Sequence, residues 1–145
     1  MPNHEAVKSV LQKFSLALFV SLFFAFGIWA QKPKDQPAEY KIPPADAAKV
    51  NPVKPTPESL AKAKKLYGID CAMCHGKDGD GKGDMASDMK NVTDFTKPDA
   101  LKNRTDGELF YVLRHGKGEM PPEGDRAKDE DIWNLVNYVR SLAKQ

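Results

Sequence analysis

The sequence predicts an all-α domain, three helices with long loops wrapped around a bulky group that is not itself protein, and three observations carry that expectation. No stretch alternates apolar and polar residues over strand length, so β structure lacks its signature. Three segments between residues 56 and 145 place apolar residues at helical spacing and begin or end at recognisable caps. Ninety residues divided among three helices and glycine-rich loops make a marginal apolar core, and scaffolds of that size commonly rely on a disulfide, a metal or a prosthetic group.

The chain opens with a different kind of segment. Residues 14–30, FSLALFVSLFFAFGIWA, carry no charge over seventeen positions and lie between Lys8 and Lys13 on one side and Lys32 and Lys34 on the other. This is the pattern of an export signal or a membrane anchor, and its length falls between the two. Small Ala25 and Gly27 suit a cut before Ile28, whereas a cut after Ala30 leaves bulky Ile28 in the third position back. Residues 1–30 are therefore read as a signal peptide or an N-terminal anchor, with 14–30 the contact to a membrane where uncleaved. In both readings the remainder is exported to a periplasmic or other extracytoplasmic compartment.

Residues 31–55 follow as a proline-rich linker, and together with Thr56 and Pro57 they hold seven of the eleven prolines. Proline fixes φ and removes donors, so the segment reads either as an extended tether or as a strap lying across the domain through Ile42 and Val53. The domain proper, 56–145, starts at Thr56-Pro57-Glu58, an N-cap, a proline for the first helical position and an acid for the first turn. Leu60, Ala63, Leu66 and Tyr67 form the apolar stripe of this helix, with Lys62, Lys64 and Lys65 outside it.

A glycine-dense run, GKDGDGKGDMASDMKN, then reads as wrapping loop. It lacks the glycine spacing and the preceding strand of a phosphate loop. Asp78, Asp80 and Asp84 lack the twelve-residue pattern of a calcium loop and read as solvated turn residues. The second helix opens on the capping box Thr105-Asp-Gly-Glu108, presents Leu109, Val112 and Leu113, and stops at Gly116. The third starts in Lys128-Asp-Glu-Asp131, buries Ile132, Leu135, Val136, Val139 and Leu142, and closes with Arg140 and Lys144 near its negative end.

The formal charge of +2 is no footprint for nucleic acid. Chemistry concentrates in Cys71-Ala-Met-Cys74-His75-Gly76, which holds the only two cysteines of the chain. A two-residue gap between cysteines serves a redox dithiol, half a zinc site or attachment of a haem. The dithiol reading expects a βαβ neighbourhood, and zinc needs further ligands where no second cysteine pair exists. With His75 next in line, Cys-x-x-Cys-His is the signature of c-type haem attachment: both thiols add to the vinyl groups as thioethers and the imidazole turns onto the iron.

At these residues the chain resembles the class I cytochromes c over nearly all of 56–145. The resemblance rests on Cys71-Ala-Met-Cys74-His75-Gly76, on the first helix with Ala63 and Tyr67, on the loop Gly116-Lys-Gly-Glu-Met120-Pro121, and on the last helix from Asp131 to Tyr138. It implies a cytochrome c-like three-helix fold around one covalent haem c, with the first and last helices crossing so that Ala63 and Tyr67 meet Leu135 and Tyr138. The family often has a proline whose carbonyl takes the ring N–H of the proximal histidine; this chain has Gly83-Asp84-Met85 there, and a backbone carbonyl of that stretch is the expected substitute.

Candidates for the sixth ligand are Met73, Met85, Met89, Met120 and His115. Met73 lies between the attaching cysteines, Met85 and Met89 suit gap filling in the first loop, and His115 suits the helix end. Met120, stiffened by Pro121 and Pro122 and matching the family's Met-Pro loop, is expected opposite His75 on the iron. The expected function is single-electron transfer between respiratory redox partners, with no catalytic residue and no enzymatic activity of its own. Lys77, Lys82, Lys90 and Lys117 are candidate docking charges that read equally as solvated surface. The alternatives are a haem-based ligand binder or peroxidase-like protein with a labile sixth ligand, and a fixed cytochrome subunit of a membrane respiratory complex.

Overall fold

A computed structural model of the chain describes residues 39–143. The hydrophobic leader, 1–30, and the first part of the linker lie outside the described residues. Among the described residues five α-helices occur in the order α1 Pro44–Ala47, α2 Pro57–Asp70, α3 Ala72–His75, α4 Asp106–His115 and α5 Asp129–Ser141, with a 3₁₀ turn at Ala86–Asp88. Among the described residues there is no β-strand, only an isolated bridge between Lys117 and Met120. The three predicted helices are α2, α4 and α5.

Each long helix starts for a local reason. Thr56 is extended, its Oγ1 accepts from the Ser59 amide at 3.1 Å, and its own amide donates to Ser59 Oγ at 3.0 Å. The reciprocal partner is Ser59, and Glu58 lies in the first turn as the sequence predicts. At α4 the predicted box forms: the Glu108 amide donates to Thr105 Oγ1 at 3.1 Å and the Thr105 amide donates to Glu108 Oε2 at 2.8 Å. Lys128 opens α5 without a side-chain cap, and Asp129, Glu130 and Asp131 in the first turn offset its positive end.

The core is built mainly from α5, whose Ile132, Trp133, Leu135, Val136, Tyr138 and Val139 are buried against Ala63 and Tyr67 of α2 and Phe110 and Leu113 of α4. Tyr67 and Tyr138 meet with ring centroids 5.2 Å apart, and Phe110 stacks on Trp133 at 4.0 Å. Small Ala63 lets α2 approach α5, which gives the crossing expected of the first and last helices. Arg140, at the end of α5, donates to Asp106 Oδ1 at 2.6 Å and to the carbonyls of Leu101 and Arg104, fixing the turn before α4.

From Tyr40 onward the chain is one compact unit, so the described part of the proline-rich segment is a docked strap and not an extended tether. Tyr40 Oη donates to Gly116 O at 2.8 Å, Thr105 Oγ1 donates to Ala47 O at 2.6 Å, and Asn51 Nδ2 donates to Trp133 O at 3.1 Å. Asn137 Nδ2 returns a bond to Val53 O at 2.9 Å, and Val53 packs on the core. Gly107 makes the close approach feasible: a Cβ there meets Asp46 O at 2.2 Å.

Candidate haem site

The attachment motif forms one helical turn. Cys71 ends α2 and precedes α3, and its carbonyl accepts from the amides of Cys74 at 3.2 Å and His75 at 2.9 Å. Residues at i, i+3 and i+4 share a helix face, so Cys71, Cys74 and His75 look into one cavity, while Met73 points away and is 53% exposed. Tyr67 Oη, buried in the α2–α5 contact, donates to Gly76 O at 2.9 Å and ties the turn to the core.

The glycine-dense run closes over the back of this turn. The amides of Gly81, Gly83 and Met85 donate to the carbonyls of His75, Cys74 and Met73 at 2.8, 3.1 and 3.0 Å, satisfying groups that a helix end otherwise leaves open. Gly83 is the position where a side chain has no room, since a Cβ would lie 2.2 Å from Met73 O.

His75 Nδ1 lies 3.3 Å from Thr93 O, and the imidazole stacks on Phe95 with centroids 4.6 Å apart. A carbonyl only accepts, so Nδ1 carries the proton and Nε2 keeps a free lone pair directed elsewhere. The acceptor therefore comes from a loop eight residues beyond the Gly83–Met85 stretch that the sequence suggested: the carbonyls of Gly83 and Met85 accept from the amides of Ala86 and Asp88, and the chain folds back to bring Thr93 alongside. Burial holds His75 below the usual histidine range, with the Thr93 bond acting against it. The neutral imidazole is the form that binds a metal.

The surroundings of Cys71 are unlike those of a reactive dithiol. Burial, reinforced by the Glu123 and Asp70 carboxylates, pushes the Cys71 thiol up to about 12, whereas reactive dithiols have lowered values. Zinc lacks its donor set, because no group of three His, Cys, Asp or Glu side chains converges among the described residues.

The cavity before these groups has a volume of about 830 Å³, within the range of cofactor pockets. Val92, Phe95, Leu109, Val112 and Leu113 supply apolar walls, and Met89 and Met120 both line it. Met120 exchanges two backbone bonds of 3.0 Å with Lys117 and packs against the core. Met85 is 39% exposed, and His115 meets Tyr111 in a tilted ring contact with centroids 4.3 Å apart; neither lines the cavity. A covalent haem fits this donor set, with two thiols and a free imidazole nitrogen on one side, apolar walls for the ring and thioether sulfurs within the same enclosure. Thr93, Phe95, Tyr40 and Glu123 also line the cavity, and none carries a sequence signature for that role.

The all-helical fold and this site define a c-type cytochrome. The family model described as cytochrome c oxidase, cbb3-type, subunit III matches residues 58–139, and the chain belongs to that family as a class I mono-haem c-type cytochrome. It is 33% identical over 92 residues to cytochrome c6 of Cladophora glomerata, covering 59% of this chain and 91% of the relative. The cbb3-type cytochrome c oxidase subunit CcoP of Rubrivivax gelatinosus is 30% identical over 89 residues, 60% of this chain and 27% of that one. Among solved structures, the KustC0563 c-type cytochrome aligns with a TM-score of 0.52 at 26% identity, covering 57% of this chain and 98% of the other. The reducing HAO-like complex Kustc0457/Kustc0458 of Kuenenia stuttgartiensis aligns at 0.58 and 27% identity, over 64% of this chain and 47% of that one. The chain is thus an electron carrier with covalently bound haem c, and its partners are redox proteins.

Proposed function

We infer that the protein is a closed, exported one-electron carrier whose haem iron is held by His75 and Met120, with Cys71 and Cys74 as the thioether anchors. The observation that carries this reading is that one cavity is lined by the three side chains of the attachment turn and by Met120, while Thr93 occupies the other nitrogen of His75. The haem, when bound, supplies a one-electron couple, and His/Met ligation raises its potential. The chain's own residues do the rest. Thr93 fixes the tautomer and basicity of His75, Phe95 fixes the ring plane, the Lys117–Met120 bridge holds the thioether, and the apolar walls keep water out. With His75 and Met120 both holding the iron, no site would be left for oxygen or peroxide. The leader and its flanking lysines support an extracytoplasmic location.

Potentiometric titration of the haem-loaded protein tests this reading: a single reversible couple following one electron is expected, and a sixth position that exchanges with added ligand would overturn it. A reporter fused after Gln145 is expected outside the cytoplasm; a cytoplasmic reporter on haem-loaded protein would overturn the location. A second reading, a carrier fixed within a membrane complex, is favoured by the match to the cbb3-type oxidase subunit III model and by the similarity to part of CcoP. Co-purification with membrane cytochromes supports it, and an untethered mature protein excludes it.

A further inference from the structure

Glu123 is the buried acid that the carrier function does not use. It is 3% exposed and lines the same cavity as Cys71, Cys74 and Met120. Its backbone is pinned, because its amide donates to Leu113 O at 2.8 Å and its carbonyl accepts from the amides of Arg126 and Ala127 at 3.0 and 2.9 Å. Its two carboxyl oxygens differ. Oε1 accepts from Arg126 Nη2 at 2.6 Å, whereas Oε2 is buried without a hydrogen-bond partner.

The surrounding charge does not balance a carboxylate. Arg126 is the cation that faces it, and Arg126 is shared: its Nη1 donates to Asp70 Oδ1, at the end of α2, at 2.9 Å. One guanidinium thus stands between two acids, and it is half exposed, so water screens part of its field. From α4, Arg114 sends its guanidinium to Asp129 and contributes only its backbone carbonyl to this loop, through Gly124. The thiol of Cys71 lies close enough to sense the Glu123 charge; as a thioether it has no proton to give. A buried carboxylate oxygen that lacks a donor is costly when charged and much less so as a hydroxyl.

We propose that Glu123 is a redox-linked proton site: one proton from water binds its Oε2 when the haem accepts an electron, and leaves when the haem is reoxidised, so the carrier's potential falls as pH rises. The step balances. The donor protein loses one electron and the haem gains it, which lowers the charge of the cavity by one; the proton restores that charge. Because both changes occur at one cavity and Glu123 is buried in its wall, they interact more strongly than across water. In keeping with this, burial pushes the Glu123 carboxyl above the usual range and Asp70 adds to the shift, while Arg126 opposes both. The acid is thus poised to titrate above the ordinary glutamate value of about 4.3, and reduction raises it further.

The proposal rests on the carrier reading for its electron, and the test keeps the two apart. Midpoint potentials of the haem-loaded full chain are measured from acid to mildly alkaline pH for the wild type and for Glu123→Gln. The wild type is expected to be flat at the acid end and then to fall towards a limiting slope of about 59 mV for each tenfold drop in proton activity, the conversion for one electron. The glutamine variant, a neutral stand-in for the protonated acid, is expected to stay near the wild type's acid limit and lose this slope; haem propionates titrate in both proteins and cancel in the comparison. A one-electron couple with no pH dependence in the wild type, or the same slope in both proteins, overturns the proposal and leaves the carrier intact. Redox-difference infrared spectra of wild-type protein labelled with carbon-13 glutamate supply a readout that needs no variant. A protonated carboxyl band that appears on reduction and shifts with the label is expected; its absence overturns the proposal.

Discussion

Gly107→Ala separates a docked strap from a free one by the sign of its effect. Gly107 lies in the first turn of α4, and a Cβ there meets Asp46 O at 2.2 Å, Ala47 O at 2.8 Å and Lys49 N at 2.9 Å, backbone atoms with no rotamer to yield. If the strap were free, replacing a helical glycine would stabilise the domain by up to about 1 kcal/mol. With the strap docked, α1 must lift, and the bonds at stake are Thr105 Oγ1 to Ala47 O, Tyr40 Oη to Gly116 O and Asn51 Nδ2 to Trp133 O. At a net of about 1 kcal/mol each they amount to about 3 kcal/mol, and the propensity gain leaves a loss of about 2 kcal/mol. For a domain of about 100 residues this corresponds to a fall in Tm of roughly 8–16 °C. Thermal melts of haem-loaded protein measure it, and hydrogen exchange locates it: the amides of Asp46, Ala47 and Ala48 should lose protection while those of α5 keep theirs. An unchanged or raised Tm, with the strap amides protected as before, would refute the reasoning.

Cys71→Ala with Cys74→Ala should abolish covalent haem and remove most helical circular dichroism, because the cavity beside the small α2–α5 core, walled by Val92, Phe95, Leu109 and Val112, would lose the group that fills it; a variant that still melts cooperatively with native helicity would show the core self-sufficient. Met120→Ala should lower the potential and open the sixth position to added ligands, and adding His115→Ala separates true vacancy from replacement by the nearby imidazole; an unchanged potential and unchanged spectrum would move the assignment to Met89, the other cavity-lining methionine. Gly83→Ala should reduce the fraction of chains carrying covalent haem, read by intact mass, since the new Cβ collides with Met73 O and displaces the attachment turn; wild-type loading would show that the loop yields.

Features whose causes are local were legible in the sequence. The Thr105–Glu108 box forms as read because its two partners lie three residues apart, and Cys71, Cys74 and His75 share a face because i, i+3 and i+4 always do in a helix. The Tyr67–Tyr138 contact came from the resemblance to a family, since no periodicity pairs residues of separate helices. The start of α2 also forms as read, with Thr56 as cap and Glu58 in the first turn, while the part of Ser59 in closing the box was not read from the sequence. What the sequence could not reveal depends on the chain returning to itself. Thr93 reaches His75 only because the loop from Gly83 onward folds back, and Tyr40, Asn51 and Gly107 matter only once the strap lies against α4 and α5. Glu123 looks like any acid in a proline-flanked turn; its burial follows from the packing of that turn against Leu113 and the cavity, which no spacing encodes.

The proposed hold of His75 and Met120 on the iron would make the molecule a carrier of electrons and not a binder of gases. Its most direct test is the optical spectrum of the reduced, haem-loaded wild type at neutral pH before and after exposure to carbon monoxide. With Met120 on the iron as proposed, the spectrum should not change; a large and rapid spectral shift would contradict the proposal and point to a labile or absent sixth ligand.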